Sequence, residues 1–92
     1  MTEGQASIST EILARYAGDA ASEVAGVRGL VGRRGARVHD DGRVELHLEV
    51  EWGASIPAVG RDVQDRVREY LVQMAELRPD VEVIVDSIGP AE

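Results

Sequence analysis

Two histidines and three glutamates lie close together in the sequence, and their side chains suit metal binding or proton transfer. They are His39, His47, Glu45, Glu49 and Glu51. Imidazole and carboxylate groups ligate divalent metals and exchange protons near neutral pH. Their spacing matches no recognised metal-ligand motif. A solvated strand face also requires polar residues at alternate positions. We therefore predict no metal, no cofactor and no catalytic residue.

Arginine supplies all ten basic side chains, and several of them gather in the glycine-rich segment 28–37. These are Arg28, Arg33, Arg34 and Arg37. Guanidinium groups and backbone N–H groups of such a segment can bind phosphate. Its G-x-x-G spacings are similar to the loop of KH nucleic-acid domains, but that loop joins two helices. The glycines themselves predict a connecting loop, and the arginines would keep such a loop soluble without any ligand. Phosphate binding by this loop, to RNA or anionic lipid, is our alternative hypothesis.

Length and charge limit the classes of protein to consider. The chain has 92 residues and a net charge of −7, from 17 acidic and 10 basic side chains, and no Cys. One domain is expected at this length. A surplus of acid makes nucleic acid an unlikely partner, because phosphate binding needs cations. No apolar run reaches the ~20 residues of a membrane span, and residues 1–7 lack the features of a signal peptide. We expect a cytoplasmic protein without direct membrane insertion.

The first helix is predicted from its cap and its apolar face. Ser9 is a good N-cap, with Glu11 in the first turn. Apolar residues then recur at steps of three and four, which places them on one face of a helix: Ile12, Leu13, Tyr16, Ala17, Ala20 and Val24. Gly26 is predicted to end the helix. We predict a flexible N-terminus over 1–7, one domain over 8–88 and a tail over 89–92.

A hairpin is predicted around Gly42. A two-residue loop would place Val38 opposite Glu45, on the wrong face. A three-residue loop with a left-handed Gly42 places Val38 opposite Val44 and Ala36 opposite Leu46, so parity selects it. The second strand then points alternate apolar side chains inward: Val44, Leu46, Leu48, Val50 and Trp52. Its other face carries the glutamates and His47.

A second helix and a last strand complete the chain. Pro57 suits a helix start, and Gln64 is predicted to be exposed on that helix. Its buried stripe comprises Val59, Val63, Val67, Leu71 and Met74. Alternating valines over 81–85 predict a strand, with Ile84 on the opposite face. The fold class is α/β (α+β), two-layer, in the order helix-strand-strand-helix-strand. Two helices cover one face of a three-stranded mixed sheet, and the other face is open.

Several short motifs occur in a fixed order over residues 8–88. They are I-S-T-E-I from Ile8, A-A-S-E-V-A-G-V from Ala20, Trp52-Gly53, I-P-A-V from Ile56 and V-Q-D-R-V from Val63. In order and spacing they resemble the bacterial alkaline shock protein family, also called the envelope stress response family. This resemblance implies a non-enzymatic cytosolic protein linked to envelope stress. Some members self-associate and are held at the inner face of the membrane by a separate transmembrane anchor protein.

From this resemblance we predict a self-associating interaction module at the cytosolic face of the membrane. Exposed apolar residues on an open sheet face can pair between copies. We therefore place the candidate self-association face at His47, Glu49 and Ile84. The expected partners are further copies of the chain and a small transmembrane anchor protein.

Overall fold

The computed structural model describes residues 8–90 and contains two helices and four strands. The helices are α1 (Thr10–Ser22) and α2 (Ile56–Ala75). The strands are β1 (Val27–Leu30), β2 (Ala36–Val38), β3 (Val44–Val50) and β4 (Val81–Ile88). Both helices pack on one face of a mixed sheet around a single core, which confirms the predicted fold class. The predictions for residues 1–7 and 91–92 lie outside the described residues.

Strand β3 is the centre of the sheet. β4 pairs with it in parallel along one edge. β2 and β1 are antiparallel to β3 and follow one another along its other edge. The sheet is therefore three strands wide, although it contains four strands. The prediction of a loop was wrong over the β1 segment, because Val27 is buried and lies opposite Val50. A β-bulge at Arg28 accommodates the extra residue there.

The predicted hairpin and its register are confirmed. Ala36 lies opposite Leu46, and Val38 lies opposite Val44. Gly42 has a φ of 92°, which is the left-handed conformation that the three-residue loop requires. The His39 N–H closes the loop by donating to the Arg43 carbonyl at 2.8 Å.

Helix α1 begins as predicted and ends earlier than predicted. The Ser9 hydroxyl accepts a hydrogen bond from the Ile12 N–H at 3.2 Å. The last helical residue is Ser22 rather than a residue next to Gly26. Gly26 instead forms the turn into β1 with a φ of 95°, where a Cβ would lie 2.8 Å from Val59 Cγ2. Glycine is therefore required there by both conformation and close packing.

The inward face of β3 forms the centre of the core, as predicted for all but one residue. Its side chains are at most 1% exposed: Val44, Leu46, Leu48 and Val50. Trp52 was predicted to join them but is 66% exposed. The strand ends at Val50, and the chain turns through Gly53 at a φ of 88°. Alternation therefore no longer determines the direction of the Trp52 side chain.

Gln64 corrects another prediction. It is half-buried rather than exposed, and its side-chain amide donates to the Val81 carbonyl at 3.1 Å. It thereby ties the middle of α2 to the start of β4. Within residues 8–90, no helix combines the length and the apolar character that a membrane crossing requires.

Candidate functional site

The open face of the sheet carries a chain of hydrogen bonds that runs across three strands. His39, after β2, contacts Glu45 Oε1 through Nε2 at 2.8 Å. His47 contacts Glu45 Oε2 through Nε2 at 2.5 Å and Asp86 Oδ2 through Nδ1 at 2.8 Å. Only a protonated imidazole donates from both nitrogens to two carboxylates. The geometry therefore suits a charged His47 between two acids.

The pKa values of this cluster shift in the directions that its hydrogen bonds require. The hydrogen bonds from His47 and then His39 lower the pKa of Glu45 from 4.5 to about 2. Those to Glu45 and then Asp86 raise the pKa of His47 above 6.5. Arg37 and Glu82 lie opposite Glu45 on the two neighbouring strands. Within the described part of the chain, no three His, Asp or Glu side chains are arranged to hold a metal ion.

The cluster should make stability depend on pH with a definite sign. The lowered pKa of Glu45 contributes stability above pH 4.5, which is lost as pH falls toward about 2. The raised pKa of His47 contributes stability below pH 6.5, which is lost as pH rises through its folded value. We expect His47→Gln to lower the free energy of unfolding most between pH 4.5 and 6.5, and least in mild alkali. Urea unfolding across this range measures the difference.

A matched control separates this titration from a general loss of surface charge. Arg43 pairs with Glu82 at 3.4 Å on the same face, and both side chains are about half exposed. Because this pair contains no histidine, Arg43→Gln should change the free energy of unfolding by a similar amount at every pH between 5 and 8. If the loss of unfolding free energy in His47→Gln were also independent of pH, it would contradict the expected coupling between His47 protonation and stability.

The structure separates the four arginines that the sequence grouped. Arg28 extends over the open face, where its Nε lies 3.3 Å from Glu49 Oε2. Arg33 and Arg34 line a cleft at the sheet edge instead, and Arg37, which lies opposite Glu45, borders the same cleft. Arg15 of α1, which the sequence analysis missed, lines the same cleft.

This arginine-lined cleft runs between the outer side of α1 and the edge of β2. It has a volume of about 600 Å³. Its charged lining comprises four arginines and two acids, Glu11 and Asp19, so its net charge is +2 against −7 for the chain. Its floor is formed by small residues, since α1 approaches the strands closely. A Cβ on Gly18 would lie 2.9 Å from Leu30 Cδ1 and 3.4 Å from the Ala36 Cβ.

A second surface stands out by its exposed apolar side chains. Tyr16 of α1 packs edge-on against Tyr70 of α2, with ring centroids 6.0 Å apart. Arg66 pairs with Glu23 farther along the same helices, so α1 and α2 run antiparallel. Ile12 and Met74 lie one turn beyond the tyrosine pair in the opposite direction.

The helix-end patch is the name used below for four residues at this end of the helix pair. Each of them is 40–47% exposed. They are Ile8, Ile12, Met74 and Leu77. Ile12 and Met74 were predicted to belong to the buried stripes of their helices and are exposed instead. Arg68 of α2 donates to the Pro79 carbonyl at 3.3 Å, and Pro79 precedes β4, so the last turns of α2 extend past the start of that strand.

Comparison with known proteins places the chain among its relatives. No protein-family model matches the sequence. The uncharacterised protein YqhY of Bacillus subtilis is 35% identical, and the alignment covers 80% of this chain and 68% of YqhY. The chain belongs to the YqhY family.

Solved structures support the fold of this YqhY family member independently. The C-terminal domain of MamM aligns with a TM-score of 0.56 and 21% identity, covering 86% of this chain and 99% of that domain. The copper form of a variant of that domain aligns with a TM-score of 0.54 and 22% identity, covering 91% of this chain and 100% of that domain. At this level of identity the likeness establishes a shared fold.

Proposed function

We propose that this protein is a non-enzymatic envelope stress response protein that acts as a self-associating interaction module at the cytosolic face of the membrane. The resemblance of its ordered motifs to the alkaline shock family supports the link to envelope stress and a small transmembrane anchor protein as partner. The observation that carries self-association is the helix-end patch, where four large apolar side chains are exposed together.

A second copy is the occupant that best fits the helix-end patch. The patch is a cluster of a few apolar side chains, which matches the apolar centre of an interface that buries about 800 Å² per partner. Exposed charges of both signs are its neighbours in the sequence, since Glu11 precedes Ile12 and Arg78 follows Leu77. Identical surfaces that meet about a two-fold axis require such a mixed rim, since each sign then faces its opposite.

The open face offers a second copy much less apolar surface. Of the residues predicted there, His47 and Glu49 are engaged in ion pairs with neighbouring strands. Ile84 is their apolar neighbour and is half-buried. Pairing through this face would require breaking or matching these ion pairs for little burial of apolar area. We therefore assign self-association to the helix-end patch in preference to this face.

Three of the five serine hydroxyls support the non-enzymatic assignment. Ser9 and Ser55 accept backbone N–H groups as helix caps. Ser22 donates to the Gly18 carbonyl at 2.9 Å. Each of these hydroxyls is therefore engaged by its own backbone, which leaves it poorly placed as a nucleophile.

Sedimentation velocity over a wide range of protein concentration tests the self-association. The wild-type protein should shift from monomer to a larger species as concentration rises. Ile12→Asp and Met74→Asp should each hold it monomeric, because a buried carboxylate at the centre of the interface is strongly unfavourable. A wild-type protein that stays strictly monomeric at high concentration would refute self-association.

Two matched variants locate the surface. Ile56 is 40% exposed at the start of α2, at the far end of the molecule. Ile56→Asp should associate like the wild type. If Ile84→Asp alone abolished association, the interface would lie on the open sheet face.

A neighbouring gene for a protein with two transmembrane spans would support the anchored form of the proposal.

A further inference from the structure

We propose that the arginine-lined cleft binds a phosphate ester that carries free hydroxyl groups, of the glycerol phosphate type. This site is separate from the helix-end patch, and it does not depend on self-association. The argument rests on three properties of the cleft: its available cations, its backbone donors and its two acids.

The arginines of the cleft are exposed and are grouped around one space. Within residues 8–90, acidic partners hold Arg28, Arg43 and Arg66, whereas no described acid forms an ion pair with an arginine that lines the cleft. Arg33 and Arg34 are exposed on the turn between β1 and β2, and Arg15 faces them from α1. Guanidinium groups bind phosphate oxygens with paired, charge-assisted hydrogen bonds.

The edge of β2 adds backbone donors to the same cleft. The Gly35 carbonyl accepts from the His47 N–H at 2.7 Å, and the His39 N–H donates to the Arg43 carbonyl. Residues 35 and 39 therefore point their hydrogen-bonding groups toward β3. By the alternation of an antiparallel pair, the N–H and carbonyl groups of Ala36 and Val38 point away from β3, toward the cleft. There the N–H groups can donate to phosphate oxygens, and the carbonyls can accept from hydroxyl groups. Both residues line it.

The two acids determine the class of ligand. Glu11 and Asp19 line the cleft beside the arginines. Carboxylates repel a simple polyanion but accept hydrogen bonds from hydroxyl groups. A phosphate ester with neighbouring hydroxyls satisfies both sets of groups, with its phosphate on the arginines and its hydroxyls on the acids. A volume of about 600 Å³ accommodates a ligand of this size. Such a ligand exists as a free metabolite and as the headgroup of a phosphatidylglycerol-type lipid.

Amide NMR titration of the full chain with glycerol 3-phosphate at low ionic strength tests the site. The amide signals of Ala36 and Val38 should shift together with those of the cleft-facing side of α1. Arg33→Ala/Arg34→Ala should weaken binding at least about tenfold, and Arg15→Ala should weaken it as well. Arg43→Ala/Arg61→Ala removes the same charge outside the cleft and should leave binding nearly unchanged. Equal losses of affinity in the two double variants would overturn the proposal. It would also be overturned if glycerol 3-phosphate shifted no amide signal and the vesicles described below did not bind the protein.

Methyl phosphate tests the part of the proposal that concerns hydroxyl groups. It carries the same phosphate without hydroxyls, so it should bind several-fold more weakly than glycerol 3-phosphate. Asp19→Asn should reduce the difference in affinity between glycerol 3-phosphate and methyl phosphate. Equal binding of the two probes to the wild type would overturn the assignment of a hydroxyl-bearing ligand.

Vesicles distinguish the two sources of this chemistry. Flotation with phosphatidylglycerol vesicles that is lost in Arg33→Ala/Arg34→Ala would assign the site to a lipid headgroup, provided that phosphatidylcholine vesicles do not bind. Binding of glycerol 3-phosphate without flotation would assign it to a free metabolite. Binding of single-stranded RNA in place of both, with a steep salt dependence, would overturn the proposal.

Discussion

Replacing Leu46 by Ala is expected to lower the free energy of unfolding by about 2–5 kcal/mol. Leu46 is fully buried in the central strand, with Ala36 opposite it on β2 and Val83 opposite it on β4. Truncation there removes apolar burial and leaves a cavity that neighbouring strands on both sides cannot close. A domain of this size has roughly 5–15 kcal/mol of stability, so this loss is a large fraction of the total. Chemical denaturation followed by circular dichroism measures it.

Glu49→Ala is the matched control for this loss. It is a truncation to the same residue on the same strand, but Glu49 faces the open side of the sheet. Its ion pair with the half-exposed Arg28 contributes at most about 1 kcal/mol. If both variants lost equal stability, β3 would not separate a core face from a solvated face, and the two-layer arrangement would be wrong.

The hairpin and the faces of β3 were predictable because they depend on local rules. A strand has a side-chain period of two, so one wrong residue in the loop would exchange the faces of Val38 and Glu45. Only one loop length kept the apolar residues together, and Gly42 could adopt the conformation that it requires. The same local rules identified Ser9 as a cap.

Strand β1 was missed because its sequence pattern is that of a loop. Its four residues include Gly29, and a bulge at Arg28 interrupts the alternation. Its pairing partner lies about twenty residues away on β3, so no local signal marks it as a strand. The end of β3 was missed for a related reason. The alternation continues to Trp52 in sequence, while the backbone turns away after Val50.

The candidate sites were predictable only where one strand carried them. His47 and Glu45 share a face of β3, which alternation determines. Asp86 joins them from β4, whose parallel pairing with β3 places it within hydrogen-bond distance of His47. Arg15 was missed because its role depends on how α1 packs against β2. The arginine count of the glycine-rich segment was the one available signal, and it pointed to the correct region.

Gly35→Ala and Gly60→Ala are expected to change stability in opposite directions. A Cβ on Gly35 would lie 2.7 Å from Leu30 Cβ and 2.9 Å from the Val31 carbonyl oxygen. The second contact is with backbone, so the chain itself must move, and we expect a loss of about 1–3 kcal/mol. Gly60 lies inside α2, and a Cβ there would meet nothing within 4 Å. Alanine should therefore raise stability by about 0.5–1 kcal/mol through its better helix propensity.

The pair of variants also connects the fold to the arginine-lined cleft. Gly35 is buried directly after Arg33 and Arg34, and it lets the turn that carries them pack against Leu30. Displacing this turn should weaken glycerol 3-phosphate binding in Gly35→Ala, while Gly60→Ala should bind like the wild type. Thermal unfolding and the same NMR titration measure both effects. If Gly35→Ala were as stable as Gly60→Ala, the segment over 30–36 would not be closely packed, and the floor of the cleft would lack the shape on which the binding argument depends.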